Sequence, residues 1–256
     1  MCGLAPWQDD AALLTTSCQQ LRIVRMVHNR RTYVDLYCER LAPGLLGEPL
    51  NTLSNAAFFI AAWLVARDAR RLGAMRADLA VLVALTAIVG IGSTAFHMLA
   101  TTWANWLDLV PILAFQLAFL WIYARRGLHW RTLPSAVLVA AFLAIALYAR
   151  QFQEPFNGSI TYAPAVVAIF ALGLHHRATH PGETPFLVVA AGMFTVSLLL
   201  RTIDVAACER FPYGTHFFWH LLNGVVLYLA VRGLLGPARE RRANALAPAA
   251  RRAGRP

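Results

Sequence analysis

The chain has 256 residues, of which 58% are hydrophobic and 14% charged, and its mean hydropathy is +0.52. This composition is too apolar for an ordinary soluble domain and predicts an integral membrane protein. The formal net charge of +10 comes from arginine, since the sequence contains no lysine. The arginines cluster in short connecting segments and in the tail, which favours contact with anionic lipid and argues against a nucleic-acid partner.

In chain order, residues 1–46 are polar and mixed, and we interpret them as an extramembrane arm. Residues 47–233 contain seven apolar stretches, at about 51–67, 79–100, 107–124, 132–149, 160–175, 185–203 and 213–233. Each is close to the length that crosses a hydrocarbon core of roughly 30 Å. We therefore predict an all-α fold, a bundle of seven transmembrane helices. Residues 234–256 are expected to form a basic, disordered cytoplasmic tail.

Arginine placement orients this predicted bundle. Arginines are concentrated in the first and third connections and in the tail, whereas the second connection, 101–106, carries no charge. Because cytoplasmic loops are enriched in basic residues, the arginine-rich connections and the C-terminus are expected inside. The N-terminal arm is then expected on the outer side, although its own arginines argue against this.

Three of the eight histidines lie in apolar stretches, namely His97, His216 and His220. Ionisable groups are costly within a membrane and usually mark a site in the bundle interior. His216 and His220 are four residues apart and therefore share one helix face. His97 ends the second stretch, which runs outward, and Asp108 begins the third, which runs inward like the seventh. All four side chains are therefore expected at one depth near the outer face.

Three imidazoles with an open fourth position are the ligand set of a catalytic zinc site, where bound water loses a proton near pH 7. Ser93 lies four residues before His97, on the same helix face. Taken alone, Asp108 fits a structural carboxylate and Ser93 a small helix-packing residue. In combination, Asp108 would take a proton from the zinc-bound water and pass it to a leaving group. Ser93 would donate to the oxyanion.

The same residues resemble the alkaline ceramidases, within the superfamily of seven-span zinc hydrolases that includes the progestin and adiponectin receptor-like proteins. The matching pieces are Tyr37-Cys38-Glu39, Glu48-Pro-Leu-Asn51-Thr-Leu-Ser54-Asn55, Gly92-Ser93-Thr-Ala-Phe-His97, Asp108 and His216-Phe-Phe-Trp-His220. The resemblance implies hydrolysis of ceramide to sphingosine and a fatty acid. It also implies zinc ligation by His97, His216 and His220, and catalytic roles for Ser93 and Asp108.

The resemblance further implies a calcium site, whose ligands would be Asp35, Tyr37, Glu39, Leu41 and Glu48. Here the sequence departs from the family pattern. Leu41 stands where an asparagine is expected, Tyr37 replaces a tryptophan, and the segment before Glu48 is one residue longer. Three carboxylates remain, and calcium accepts oxygen ligands flexibly. The alternative is a surface acidic cluster.

The stretch Arg201-Thr-Ile-Asp204-Val-Ala-Ala-Cys208 also resembles the family, and it shares the predicted outer side with Cys38. We therefore predict a Cys38–Cys208 disulfide that ties the arm over the site, provided that this side is oxidising. The alternative is two separate buried thiols.

These observations favour an integral membrane zinc amidase whose partner is a lipid substrate in the bilayer, either ceramide or another N-acyl lipid. A different class remains open, a receptor-like or regulatory membrane protein with a structural zinc. A transporter is less favoured, because the polar groups lie at one depth and form no path across the membrane.

Overall fold

The computed structural model describes residues 33–40, 44–152 and 155–236, and within these ranges the regular secondary structure is helical. The helices are α1 (Pro49–Ser54), α2 (Ala56–Arg71), α3 (Ala77–Leu99), α4 (Thr102–Arg126), α5 (Thr132–Ala149), α6 (Ala163–Thr179), α7 (Phe186–Thr202), α8 (Asp204–Ala207) and α9 (His216–Gly233). A kinked 3₁₀ segment, Pro155–Tyr162, precedes α6. The all-α prediction is confirmed. Most of the predicted arm and tail lies outside the described residues.

Five helical segments are long and apolar enough to cross a membrane, and they make this an α-helical membrane protein. They are Pro49–Arg71, Ala77–Leu99, Thr102–Arg126, Thr132–Ala149 and Phe156–Thr179. Helix α7 is apolar but has only 17 residues. Helix α9 carries His216 and His220, which lower the hydropathy of its first two turns. The count of seven spans therefore stays a prediction.

The helices pack around one apolar core. Its closest packing is between α3 and α4, between α7 and α9, and between α9 and α2. Large core side chains with almost no solvent exposure include Leu79, Leu82, Tyr123, Leu187 and Val231. Helix α5 contributes little to this core, since only Ser135, Phe142 and Ala149 are buried along its length.

One end of the bundle collects arginines in ion pairs. Arg126 at the end of α4 lies 3.0 Å from Asp78 at the start of α3. Arg232 near the end of α9 lies 3.1 Å from Asp68 in α2. The connection between α2 and α3 lies at this end. Helix α3 crosses the bundle, so the connection between α3 and α4 lies at the opposite end. There Ala100 takes a left-handed conformation (φ 45°) and ends α3.

The arm residues from Tyr33 onward cross this second end. Tyr33 forms an isolated antiparallel bridge with Thr101, and the Val34 amide donates to the Ala100 carbonyl over 2.8 Å. A disulfide joins Cys38 to Cys208, with 5.5 Å between their Cα atoms. The predicted disulfide is therefore confirmed, and it ties the arm to the segment that follows α8.

Candidate metal centre

The three predicted histidines converge at the end of the bundle that the arm crosses. His97 lies in the last turn of α3, and His216 and His220 lie in the first two turns of α9. All three are at most 2% exposed, and one ligand atom from each lies within 4.8 Å of the others. The structure thus brings His97 to two histidines that follow it by more than 100 residues in the chain, in a geometry compatible with a shared metal ion.

The ring nitrogens face each other in a way that calls for a cation. Nδ1 of His97 lies against the Glu48 carboxylate, so this nitrogen carries the proton and Nε2 carries a lone pair. Nδ1 of His220 lies 2.7 Å from the Ser54 hydroxyl, which itself donates to the Asn51 carbonyl. His220 therefore donates from Nδ1 and also presents a lone pair at Nε2.

These two Nε2 atoms lie only 3.1 Å apart. Two lone pairs at that distance repel each other unless a positive charge lies between them. Two nitrogens bound to one tetrahedral zinc ion at about 2.0–2.1 Å are roughly 3.3 Å apart, close to the spacing seen here. Nδ1 of His216 is also buried without a hydrogen-bond partner among the described residues, and coordination to an ion would satisfy its lone pair. The donor set fits a metal ion.

Glu48 fixes the orientation of His97. It immediately precedes α1 and is 2% exposed, with its carboxylate held by Arg40, by His97 and by the Asn51 side chain. Burial alone would raise the pKa of Glu48, but these hydrogen bonds and charges hold it below its usual value. An ionised carboxylate behind a ligating imidazole is the usual way in which a metal-binding histidine is oriented.

Asp204 fixes the start of α9 and therefore His216. Its carboxylate accepts the backbone amides of Thr215 and His216 over 2.6 and 2.8 Å, which caps the helix, and the amide of Cys38 over 2.9 Å. Gly214 is required between them, because its φ is +64° and a Cβ atom there would lie 2.3 Å from Asp204 Oδ1. Helix α9 therefore begins at His216, three residues after the start predicted from the sequence.

The ring of Tyr37 covers one face of the His216 ring. The two rings are stacked, with centroids 3.6 Å apart and planes inclined by 17°. Tyr37 is also 5.2 Å from the His97 ring. Because the disulfide holds the neighbouring Cys38, the arm places this aromatic ring as a lid on the histidine cluster.

Ser93 and Asp108 lie at the α3–α4 interface. Asp108 is in the second turn of α4, which begins at Thr102, earlier than predicted. Both side chains are buried, and Ser93 lies beside the Asp108 carboxylate. One carboxylate oxygen, Oδ1, has no hydrogen-bond partner among the described residues. A Cβ atom on Gly92 would lie 1.9 Å from the Leu107 carbonyl oxygen, so only glycine lets the two helices approach this closely.

An apolar cavity lies between the helices of the bundle, next to His220. It is lined by residues on both sides of His220, namely Trp219 and Asn223, and by Phe58, whose ring centroid is 6.3 Å from that of His220. Other lining residues are Phe115, Phe119, Phe142, Ala165, Ala168, Val226 and Ala230. Its lining is almost entirely apolar, as a binding site for a hydrocarbon chain requires.

The residues predicted as calcium ligands do not form a second metal cluster among the described residues. Asp35 is exposed, Leu41 lies outside the described residues, and Tyr37 stacks on His216. The two Glu39 oxygens accept the backbone amides of Leu50 and Asn51 at the start of α1. Calcium binding thus stays a prediction that the observed contacts do not support.

A family model described as Ceramidase matches residues 37–237, most of the chain. The chain belongs to the ceramidase family. No curated protein matches it. The matched range begins at Tyr37 and includes α1 to α9, so it covers the three histidines, Ser93 and Asp108. Membership in the ceramidase family implies an amide hydrolase that acts on a lipid in the membrane.

Several residues of this ceramidase-family site were not assigned their observed roles from the sequence. They are Arg40, Asn51, Ser54, Asp204 and Glu48, the last of which was predicted as a calcium ligand. Glu48, Asn51 and Ser54 are spaced three residues apart, which places them near one helix face. This spacing could have indicated that they face a common neighbour, but it could not have identified that neighbour as His97 and His220.

Proposed function

We propose that the protein is a zinc-dependent amidase that hydrolyses the N-acyl amide bond of ceramide or a related lipid, giving a fatty acid and a sphingoid-type amine. Family membership supports the reaction class. The observation that carries the rest is the position of Asp108, a buried carboxylate with one unpartnered oxygen and Ser93 beside it. A purely structural metal site has no use for such a pair.

His97, His216 and His220 would hold the ion. Bound there, zinc supplies Lewis acidity, which polarises an amide carbonyl and acidifies a water molecule. Three protein ligands leave a coordination position for substrate, whereas a closed structural site needs a fourth. Among the described residues, the group close enough to share the ion contains only the three histidines.

Asp108 acts as the general base and then as the general acid. Its unpartnered Oδ1 accepts a proton from the attacking water, whose oxygen bonds to the amide carbon. The same proton is then passed to the nitrogen as the C–N bond breaks, and the amine leaves. Ser93 donates a hydrogen bond to the former carbonyl oxygen while it carries negative charge.

The apolar cavity is the binding site for the acyl chain. It extends from Phe58 and Trp219 toward Ala230, deeper along α9, so a chain inserted in it would place its amide near the histidines. An acyl chain that enters from the bilayer exchanges one apolar environment for another, so the cavity would fix the position of the amide without supplying a hydrophobic driving force.

All seven helices of 16 residues or more are proposed to cross the membrane, with the site end outside and the C-terminus in the cytoplasm. The disulfide at the site end supports this orientation, since disulfides persist in oxidising compartments. The opposite end carries Arg70, Arg71, Arg76, Arg125 and Arg126, as expected for a cytoplasmic face.

The proposal is tested with purified, zinc-loaded protein incubated with a panel of N-acyl lipids, with released fatty acid measured by mass spectrometry. Release from ceramide or another N-acyl amide is expected from the parent. The Asp108→Asn variant, which keeps the shape of the side chain, is the matched control and should release fatty acid about 10²–10⁴-fold more slowly. No release from any amide by the parent would favour a receptor-like protein with a structural zinc.

A further inference from the structure

The resemblance to alkaline ceramidases implies calcium next to the zinc site, yet the described side chains leave little room for it. Calcium would require free carboxylate oxygens from Glu39 and Glu48. Each Glu39 oxygen already accepts a backbone amide, from Leu50 over 2.6 Å and from Asn51 over 2.8 Å. Those bonds satisfy amides at the start of α1 that otherwise have no helical partner.

The Glu48 carboxylate is equally occupied. Oε1 accepts from Nε of Arg40, while Oε2 accepts from Nδ1 of His97 and, over 2.8 Å, from Nδ2 of Asn51. A calcium ion at this carboxylate would have to displace a buried guanidinium or the hydrogen bond that orients His97. Either displacement would leave a buried charged or polar group without its partner.

Arg40 places a buried positive charge against the Glu48 carboxylate. Its side chain has no solvent exposure. Nε lies against Glu48 and Nη2 donates to the backbone carbonyl of His97. The arginine therefore acts on His97 in two ways. It donates directly to the His97 backbone carbonyl, and it holds the Glu48 carboxylate that contacts the His97 ring. A planar guanidinium is suited to this bridging, because its donors point in fixed directions.

We propose that the guanidinium of Arg40 takes the place of calcium in this chain, as a fixed internal cation that holds Glu48 against His97 and so orients Nε2 of His97 toward the metal centre. Arg40 is thus a positioning residue. Zinc binding is then independent of calcium. This inference rests on the proposed metal centre but not on the identity of the lipid substrate.

The test measures zinc affinity of the full-length purified protein by competition with a fluorescent zinc chelator. Arg40→Gln removes the charge and should weaken zinc binding about 10- to 100-fold, as expected when the residues behind a metal ligand are changed. Arg126→Gln is the matched control, because it removes an arginine paired with Asp78 at the opposite end of the bundle. The control should keep parental zinc affinity.

Arg40→Lys provides a second variant in case Arg40→Gln does not fold. Lysine keeps the charge opposite Glu48 but cannot reach Glu48 and the His97 carbonyl in the same fixed geometry, so we expect a loss of zinc affinity smaller than that of Arg40→Gln. The visible absorption spectrum of the Co²⁺-loaded protein should shift in Arg40→Lys and stay unchanged in Arg126→Gln. A spectral shift reports altered ligand geometry, which a general loss of stability would not produce.

The parent protein gives a test that needs no variant. Zinc affinity measured in calcium-depleted buffer should be the same as that measured after the addition of millimolar Ca²⁺. Parental zinc affinity in both Arg40 variants, or a fall in parental zinc affinity when calcium is removed, would overturn this inference and leave the proposed amidase intact. A parent that binds no zinc would overturn the proposed metal centre and this inference with it.

Discussion

At the scale of single residues, the site combines side chains with distinct tasks. His97, His216 and His220 face a common point, whereas Glu48, Ser54 and Asp204 act one step further out. Glu48 and Ser54 each engage an Nδ1 atom, which directs an Nε2 lone pair into the centre. Asp204 acts on the backbone of His216. A metal ion held by the three histidines would therefore depend on residues that lie outside the histidine cluster.

Asp108→Asn tests the assignment of the base. The amide keeps the volume of the carboxylate but cannot accept a proton, so we expect zinc binding within a factor of about 2 of the parent and a turnover lower by about 10²–10⁴-fold. Zinc content and the kcat for fatty acid release are measured on the same preparation. Full activity of the Asn variant on its best substrate would show that another group moves the proton.

Ser54→Ala tests the orientation of His220. The Ser54 hydroxyl is the acceptor for Nδ1 of His220, and alanine removes it without filling the space. We expect a roughly 10-fold weaker zinc affinity, by chelator competition. Ser135→Ala is a suitable control, since its buried hydroxyl only bonds back to the Arg131 carbonyl. Equal zinc affinities in the two variants would contradict the role given to Ser54.

The sequence predicted the metal-facing residues because membrane burial makes ionisable groups conspicuous. His97, His216 and His220 stand out in apolar stretches, and the helix period places His216 above His220. The sequence could not assign Glu48, since a carboxylate near a membrane end is compatible with calcium, with a helix terminus or with a histidine. Its partners are set by tertiary packing, which brings Arg40 and His97 to it across 8 and 49 positions of the chain.

At the scale of helices, close approach of α3 and α4 places Ser93 beside Asp108. Gly92 makes this approach possible, because its missing side chain is replaced by the backbone of Leu107. The sequence located these two helices within a few residues from their apolar lengths. It gave no sign that α4 starts at Thr102, where the Thr101 side chain caps the helix.

Gly92→Ala should force the two helices apart. The added methyl would meet the Leu107 carbonyl, so we expect a loss of roughly 1–3 kcal/mol of stability and a fall in kcat. Gly192→Ala in α7 is the matched control, because nothing lies within 4 Å of its Cβ position. Thermal unfolding in detergent measures the stability of the two variants, and fatty acid release measures their kcat. If Gly92→Ala were as stable and as active as Gly192→Ala, the tight α3–α4 contact would be incorrect.

The cavity beside α6 and α9 predicts control of acyl-chain length. Ala168→Phe would fill part of the space, so activity should shift toward shorter acyl chains. Val167→Phe is the matched control, since Val167 lies next to Ala168 on α6 but does not line the cavity and is 68% exposed. Chain-length profiles of fatty acid release compare the two. An unchanged profile for Ala168→Phe would place the acyl chain elsewhere.

At the scale of the whole molecule, the disulfide, the arm and the bundle act as one unit. The Cys38–Cys208 bond closes a loop of 170 residues and holds Tyr37 over His216. The sequence alone could pair these cysteines only through a family resemblance, since spacing does not specify connectivity. The count of seven spans could not be decided from hydropathy either, because His216 and His220 reduce the apolar character of α9.

Reduction of this disulfide should loosen the arm. We expect Cys208→Ser to lose roughly 2–4 kcal/mol of stability and some zinc affinity, because Tyr37 is then free to leave His216. The double variant Cys2→Ser/Cys18→Ser is the control. Its stability should equal that of the parent and should fall on addition of reductant as that of the parent does. Free-thiol counts and thermal unfolding, with and without reductant, measure these effects. Stability of the parent that does not respond to reductant would contradict this role of the disulfide.

Titration of Zn²⁺ into chelator-stripped protein, with fatty acid release measured at each step, shows whether the three histidines hold a zinc ion that amide hydrolysis requires. We expect no release without zinc, a maximum at one zinc per chain, and no zinc-dependent release from His220→Ala. Full release by the metal-free protein, or zinc-dependent release by His220→Ala equal to that of the parent, would contradict it.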